Sequence, residues 1–150
     1  MRYLPIHLDT KNQTILIVGA GPAAEAKLRT LVKTEAVLVV IANSLSPEIE
    51  RLHNTGRIKW LDKDVETDDL QSARLVYAAT EDAGENSRIA AAARALGVFA
   101  NAADQKVDCD FFTPALVDRN PVVISIGTEG TAPGLARAIK ADMEGRLPSI

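Results

Sequence analysis

The 150-residue sequence contains one cysteine, no excess of positive charge and no long hydrophobic run. A lone Cys109 excludes an internal disulfide and any zinc or iron–sulfur site built from several thiolates. The net charge of -3 argues against a broad basic surface for nucleic acid or anionic lipid. Apolar runs such as residues 36–42 are strand-sized, far below the roughly 20 residues of a membrane span. We therefore expect a cytoplasmic protein without nucleic-acid or membrane partners.

The composition, 47% hydrophobic and 25% charged, is that of a globular domain with a real core. Short apolar runs alternate with segments of helical periodicity, which predicts βαβ units and a parallel sheet. The predicted strands are residues 14–18, 37–41, 58–61, 75–79, 98–102 and 122–126. Six strands with their crossovers predict an α/β fold, a Rossmann-type doubly wound parallel sheet. Residues 105–120 are the least regular stretch.

Helix signals separate these strands. Ser46 followed by Pro47 predicts a helix N-cap and first helical position. Residues 86–96 predict an alanine-rich helix that ends at Gly97. The last helix is predicted to open near Thr131 and to carry one apolar face, made of Leu135, Ile139, Met143 and Leu147.

A glycine-rich turn, Gly19-Ala20-Gly21-Pro22-Ala23-Ala24, follows the first predicted strand and opens a predicted helix. The first glycine permits a tight turn, and the second lets a pyrophosphate approach the backbone. A small third residue, Ala24, lets the helix pack closely on the strand. Free amides at the helix start then face the anion. Because spacing and context agree, the turn predicts a dinucleotide site rather than a simple connection.

Asn43 and Ser44 stand where NAD-binding domains usually carry an acidic residue, about 20 residues after the glycine turn. Either side chain can hydrogen-bond a ribose hydroxyl. The missing carboxylate, however, weakens discrimination against a 2′-phosphate. These residues alone therefore favour NAD over NADP only slightly.

Further candidates follow other strands, because ligands of such sheets lie beyond the strands' carboxyl ends. Asp104 comes directly after the fifth strand, where a partly buried carboxylate can serve as general base. An aspartate that only caps a turn explains Asp104 equally well. Thr80 can contact the cofactor or bond its own turn. Residues 127–131 can hold an anion, or form a glycine-rich turn in which Thr131 caps the last helix.

Other chemistries are not indicated. His7 and His53 are isolated, so no metal site is predicted. Cys109 lies between Asp108 and Asp110, whose carboxylates should raise the thiol pKa and make it a poor nucleophile.

Several motifs, in order, make the sequence similar to the N-terminal module of siroheme synthases, the precorrin-2 dehydrogenase and sirohydrochlorin ferrochelatase family. The resemblance extends over nearly the whole chain. The matching segments are residues 4–6, residues 18–21 with Ala24 and Lys27, residues 78–82 (AATED) with Asn86, residues 101–104 (NAAD), Pro114-Ala115, and residues 130–137 (GTAPGLAR).

The resemblance implies NAD-dependent oxidation of precorrin-2 to sirohydrochlorin, and in bifunctional members insertion of ferrous iron to give siroheme. It places the family's essential aspartate on Asp104, as proton acceptor. The predicted cofactor contacts, from the turn and from the resemblance together, are Gly19, Gly21, Pro22, Ala23, Asn43, Ser44 and Thr80. Substrate contacts are expected from Asn101 and Thr128.

The resemblance also implies a division into an NAD-binding domain, residues 1–112, and the start of a dimerisation and substrate-site segment, residues 113–150. We therefore expect a homodimer. Glu129 departs from the family pattern and would repel a carboxylate-rich tetrapyrrole unless it points away. The alternative function is a non-catalytic NAD(H)-binding module, regulatory or truncated, and a third possibility is an NADP-linked reductase of another small molecule.

Overall fold

The structure, a computed structural model, describes residues 1–148. These residues form two compact units. Leu8–Asp110 form the larger unit. Met1–His7 and the residues from Phe111 onward form the smaller unit. The smaller unit is therefore built from two stretches that the larger unit separates in sequence.

The larger unit is an alternating α/β structure. Its elements are β1 (Thr14–Val18), α1 (Pro22–Leu31), β2 (Val37–Ile41), α2 (Pro47–Asn54), β3 (Ile58–Leu61), α3 (Thr67–Gln71), β4 (Leu75–Ala78), α4 (Ala83–Ala95), β5 (Phe99–Ala102) and a short 3-10 helix (Lys106–Asp108). The five strands are parallel in the order β3-β2-β1-β4-β5. The strand order reverses between β1 and β4, and such a switch point creates a crevice at the carboxyl ends of the strands. The predicted Rossmann-type sheet is confirmed.

The sheet is stable because its central strands are buried on both faces. Ile15, Leu16 and Ile17 of β1 are at most 2% exposed. A buried side chain of this size contributes about 2 kcal/mol through removal of apolar surface from water. On one face, Leu16 belongs to an apolar cluster with Ile89 and Ala90 of α4. The alanine on α4 lets this helix approach the sheet closely.

The helix signals identified α2 and α4 correctly, with a shift in one boundary. The Ser46 hydroxyl accepts a hydrogen bond from the Ile49 amide at 3.4 Å, as an N-cap does. Helix α4 begins at Ala83, three residues before the predicted start, because the Asp82 carboxylate caps it by accepting from the Glu85 amide at 3.0 Å. Helix α3 was missed because it is short and polar, with Leu70 its only buried residue.

The smaller unit corrects the prediction for the sixth strand. β7 (Val122–Ile126) is a strand, as predicted, but it pairs antiparallel with β6 (Ala115–Arg119) in a separate two-stranded sheet. It does not extend the parallel sheet. β6 was expected to be irregular because Asp118 interrupts the apolar run, but Val117 on this strand is fully buried.

The last helix, α5 (Pro133–Arg146), packs on the β6–β7 hairpin of the smaller unit. Ala136 is its buried residue, whereas Leu135 is 56% exposed and Ile139 37% exposed. The predicted apolar face is thus only partly covered within one chain. No helix within residues 1–148 is both long and apolar enough to cross a lipid bilayer.

The N-terminal segment joins the smaller unit through two contacts with residues distant in sequence. The Arg2 amide donates to the Glu129 carboxylate at 2.9 Å. The Tyr3 ring meets the Phe112 ring edge to face, with centroids 4.9 Å apart.

Candidate functional site

The carboxyl ends of the central strands open into a cleft of about 480 Å³ within the larger unit. Four turns or loops line it, and each follows one of the strands β1, β2, β3 and β4. The lining residues include five of the seven predicted cofactor contacts: Gly19, Gly21, Asn43, Ser44 and Thr80. Pro22 and Ala23 are the first two residues of α1, which begins directly after this turn. The structure thus brings the predicted dinucleotide residues to one edge of the sheet.

Position 19 requires glycine because of its backbone conformation and its close approach to a neighbouring backbone segment. Its φ of +111° is in the region that favours glycine, and its amide donates to the Ile41 carbonyl at 2.9 Å. A Cβ at this position would lie 2.6 Å from the Ala79 carbonyl carbon. The turn therefore passes too close to the backbone just after β4 for residue 19 to carry a side chain.

Gly21 is glycine for a different reason. Its φ of -100° is open to any residue, and a Cβ would meet only the Glu81 carboxylate, at an ordinary 3.6 Å. Gly21 is the N-cap of α1 but provides no side-chain cap, so the amides at the start of this helix lack that partner. The space beside Gly21 therefore suits an anion held by the helix N-terminus.

Thr80 is held in place by a buried asparagine that we did not assign to the site from the sequence. The Asn86 side chain is 3% exposed and makes three hydrogen bonds to Thr80. Its Oδ1 accepts from the Thr80 amide at 2.9 Å and from the Thr80 hydroxyl at 2.7 Å, and its Nδ2 donates to the Thr80 carbonyl at 3.1 Å. The hydroxyl also accepts from the Asp82 amide at 3.2 Å, within its own turn, which is one of the two roles considered. Contact of Thr80 with the cofactor stays a prediction.

Replacing Asn86 with alanine is expected to lower the free energy of unfolding by about 2 kcal/mol, because partly buried polar groups of Thr80 lose their partners. Urea unfolding followed by circular dichroism measures this change. Asn54→Ala, at the exposed end of α2, is the matched control and should cost less than about 0.5 kcal/mol. Equal losses in the two variants would contradict the structural role of Asn86.

Asp104 follows β5, the neighbour of β4, at the same carboxyl edge of the sheet. The Ala103 amide donates to the Ala78 carbonyl at 2.9 Å, which continues the pairing of the two strands for one more residue. Asp104 then turns the chain with a φ of +58°, a conformation that aspartate tolerates better than most residues. Its side chain is exposed and lies outside the cleft lining, on the β5 side.

The two predicted substrate residues lie in different surroundings. Asn101 is on β5 and only 3% exposed. Thr128 belongs to the smaller unit, where its hydroxyl accepts from the Ala132 amide at 3.3 Å. Contact of either residue with a substrate stays a prediction.

The loop before α5 differs from the expected turn. Thr131 does not cap the helix: the N-cap is Ala132, and the Thr131 hydroxyl donates instead to the Thr128 carbonyl at 2.6 Å. The Glu129 carboxylate accepts from the Arg2 amide, so a backbone partner within the same unit engages it.

Cys109 has a raised thiol pKa, as expected, although mainly for another reason. Burial raises the pKa of the thiol most, and the carboxylates of Asp108 and Asp110 raise it further. Its Sγ donates to the Ala102 carbonyl at 3.2 Å. Within residues 1–148, no group of three or more His, Cys, Asp or Glu side chains is arranged to hold a metal ion.

Comparison with known proteins agrees with this fold and with binding of a nicotinamide dinucleotide. The model of a family described as "Putative NAD(P)-binding" matches residues 6–115. The chain belongs to this family. The glycine turn and the cleft at the switch point are therefore parts of a nicotinamide-dinucleotide-binding domain, and the predicted NAD cofactor class is confirmed.

Curated relatives match along nearly the entire chain. The chain is 41% identical over 149 residues to siroheme synthase 1 of Yersinia enterocolitica and 36% identical over 150 residues to siroheme synthase of Sodalis glossinidius. These matches cover 99% and 100% of this chain but 32% of each relative. The chain thus spans about a third of the length of these relatives.

Among solved structures, the fold is similar to that of SirC, a precorrin-2 dehydrogenase. The TM-score is 0.78 at 24% sequence identity, and the match covers 98% of this chain and 72% of that one. This similarity establishes the shared fold.

Proposed function

We propose that this chain catalyses NAD-dependent oxidation of precorrin-2 to sirohydrochlorin. The observation that carries the proposal is the position of Asp104 on a left-handed turn at the carboxyl edge of the sheet, one strand away from the dinucleotide cleft. Two curated relatives are named siroheme synthase, and the structurally similar SirC is a precorrin-2 dehydrogenase. Both support this choice of substrate.

Different residues of the cleft bind different parts of the dinucleotide. The amides at the start of α1, next to Gly21, hold the pyrophosphate. Asn43 and Ser44 hydrogen-bond the ribose nearest the adenine. This places the nicotinamide end toward β4 and β5, where Asp104 lies.

The reaction removes a hydride and a proton from precorrin-2. NAD supplies the hydride acceptor. The Asp104 carboxylate accepts the proton and, because it is exposed, returns it to solvent before the next turnover. The left-handed turn holds this carboxylate beyond the strand end, so it faces a substrate bound outside the sheet edge.

Residues 113–150 are proposed to be the start of a dimerisation and substrate-site segment. Residues 113–150 contribute to a homodimer, which would cover the exposed Leu135 and Ile139 of α5. Thr128, and Asn101 of the larger unit, assist substrate binding. We place the enzyme in the cytoplasm. Iron insertion into sirohydrochlorin, which the family resemblance also implies, stays a prediction.

The direct test is an anaerobic absorbance assay with enzymatically generated precorrin-2 and NAD. We expect conversion to sirohydrochlorin with one NADH formed per product, and no conversion without NAD. Calorimetric titration of NAD on the same sample measures whether the chain binds NAD, and with what affinity. NAD binding without turnover would favour the non-catalytic NAD(H)-binding module and contradict the proposed activity.

A further inference from the structure

We infer that Asp64, from the loop after β3, performs the cofactor selection usually assigned to an acidic residue after β2: it favours NAD and disfavours NADP. This inference rests on the proposed use of the cleft for NAD. From the sequence, the position after β2 holds Asn43 and Ser44, and no carboxylate. The structure provides a carboxylate there from another strand.

The loop after β3 is placed against the loop after β2 by backbone pairing. Ile41, the last residue of β2, pairs with Leu61, the last residue of β3. Beyond the strands, the Ala42 amide donates to the Leu61 carbonyl at 3.3 Å, and the Trp60 indole donates to the Ala42 carbonyl at 2.8 Å. These bonds give the two loops a defined relative position.

Asp64 lies on the loop after β3, where that loop lines the cleft. Its Oδ1 accepts a hydrogen bond from Asn43 Nδ2 at 3.4 Å, and both side chains line the cleft beside Ser44. The Asn43 amide thus orients a carboxylate at the position where the adenine-side ribose is expected. A carboxylate there can accept from ribose 2′- and 3′-hydroxyls, the interaction that selects NAD.

The charge around this position strengthens the selection. Within residues 1–148, Lys63 is the only cationic side chain that lines the cleft. Its Nζ lies 2.9 Å from the Asp69 carboxylate and 3.0 Å from the Glu66 carboxylate, and these two hydrogen bonds raise the pKa of Lys63. With its ammonium engaged by α3, Lys63 is a poor partner for the 2′-phosphate of NADP, which would instead face Asp64.

The test is calorimetric titration of NAD and NADP against the wild-type chain, two variants of Asp64 and a charge-matched control. Asp64→Asn is expected to tighten NADP binding about tenfold, or about 1.4 kcal/mol, by removing repulsion of the 2′-phosphate. Binding of NAD should weaken by about threefold as an ionic hydrogen bond becomes neutral. Asp64→Ser, which removes the charge with a shorter side chain, should shift the ratio of the two affinities in the same direction.

Asp62→Asn is the control, because Asp62 and Asp64 are both exposed on the same loop but only Asp64 lines the cleft. It should change the affinity ratio by less than about twofold, since exposed charges at a distance are screened by salt. An unchanged ratio in Asp64→Asn, or an equal shift in Asp62→Asn, would overturn the role of Asp64 while NAD-dependent turnover by the wild type remained. If the wild-type chain bound neither dinucleotide, both this inference and the proposed function would fail.

Discussion

Substitution of Asp104 by asparagine is expected to lower the rate of precorrin-2 oxidation about 100-fold or more, because the amide cannot accept the proton released with the hydride. Asn also tolerates the left-handed backbone conformation that Asp104 adopts, at φ +58°. The variant therefore keeps the turn and loses only the basic group. Anaerobic absorbance under saturating NAD measures the rate, and calorimetry measures NAD affinity, which should change by less than about twofold.

Asp108→Asn is a useful control for this experiment. Asp108 is on the 3-10 helix shortly after Asp104, and its carboxylate accepts from the Ser87 hydroxyl at 2.7 Å. Its replacement changes the same charge without removing the proposed proton acceptor. Full turnover in Asp104→Asn would contradict the catalytic role. A joint loss of turnover and NAD binding would instead assign Asp104 to the shape of the cofactor site.

Alanine at each glycine of the phosphate-binding turn should affect a different property: stability at Gly19 and NAD binding at Gly21. Gly19→Ala is expected to lower the free energy of unfolding by about 3 kcal/mol or more, because its Cβ collides with the Ala79 backbone and its φ is positive. Gly21→Ala should cost less than about 1 kcal/mol, since the residue is an N-cap with room for a Cβ. Its effect should fall on binding, with NAD affinity about tenfold lower or more, because the methyl group takes the space of the pyrophosphate.

Urea unfolding and calorimetric NAD titration on both variants separate stability from binding. Gly97→Ala controls for backbone strain without collision, because Gly97 has a φ of +74° and a methyl group there would meet nothing within 4 Å. It should lose about 1 kcal/mol and bind NAD normally. A Gly21→Ala variant that bound NAD like the wild type would show that no ligand approaches this backbone.

The sequence was sufficient where a signal is local. β1 and β2 are continuous apolar runs because both faces of a central parallel strand are buried, and this pattern is visible without a structure. The turn around Gly19 and Gly21 was equally clear, because its spacing and its position between a strand and a helix agree. The Ser46 cap of α2 depends on a few neighbouring residues and was also predicted.

What the sequence could not provide depends on contacts between distant elements. β6 was missed because Asp118 and Pro114 break the expected pattern, while the pairing with β7 that stabilises it is not encoded locally. The approach of Asp64 to Asn43 requires that β3 pair with β2, so that two loops separated in sequence by α2 and β3 meet. The three hydrogen bonds between Asn86 and Thr80 could not be predicted from the sequence either, because their strength depends on burial rather than on residue type.

The smaller unit combines Met1–His7 with residues from Phe111 onward, and this bears on the order of folding. All five strands of the parallel sheet lie in the continuous stretch Leu8–Asp110, so their contacts can form before the rest of the chain is synthesised. The smaller unit needs Arg2 to meet Glu129 and Tyr3 to meet Phe112, across more than a hundred residues. Closing such long loops is slow, and a folded sheet between the two ends shortens the distance that they must search. We therefore expect the parallel sheet to fold first and the smaller unit to form its contacts afterwards.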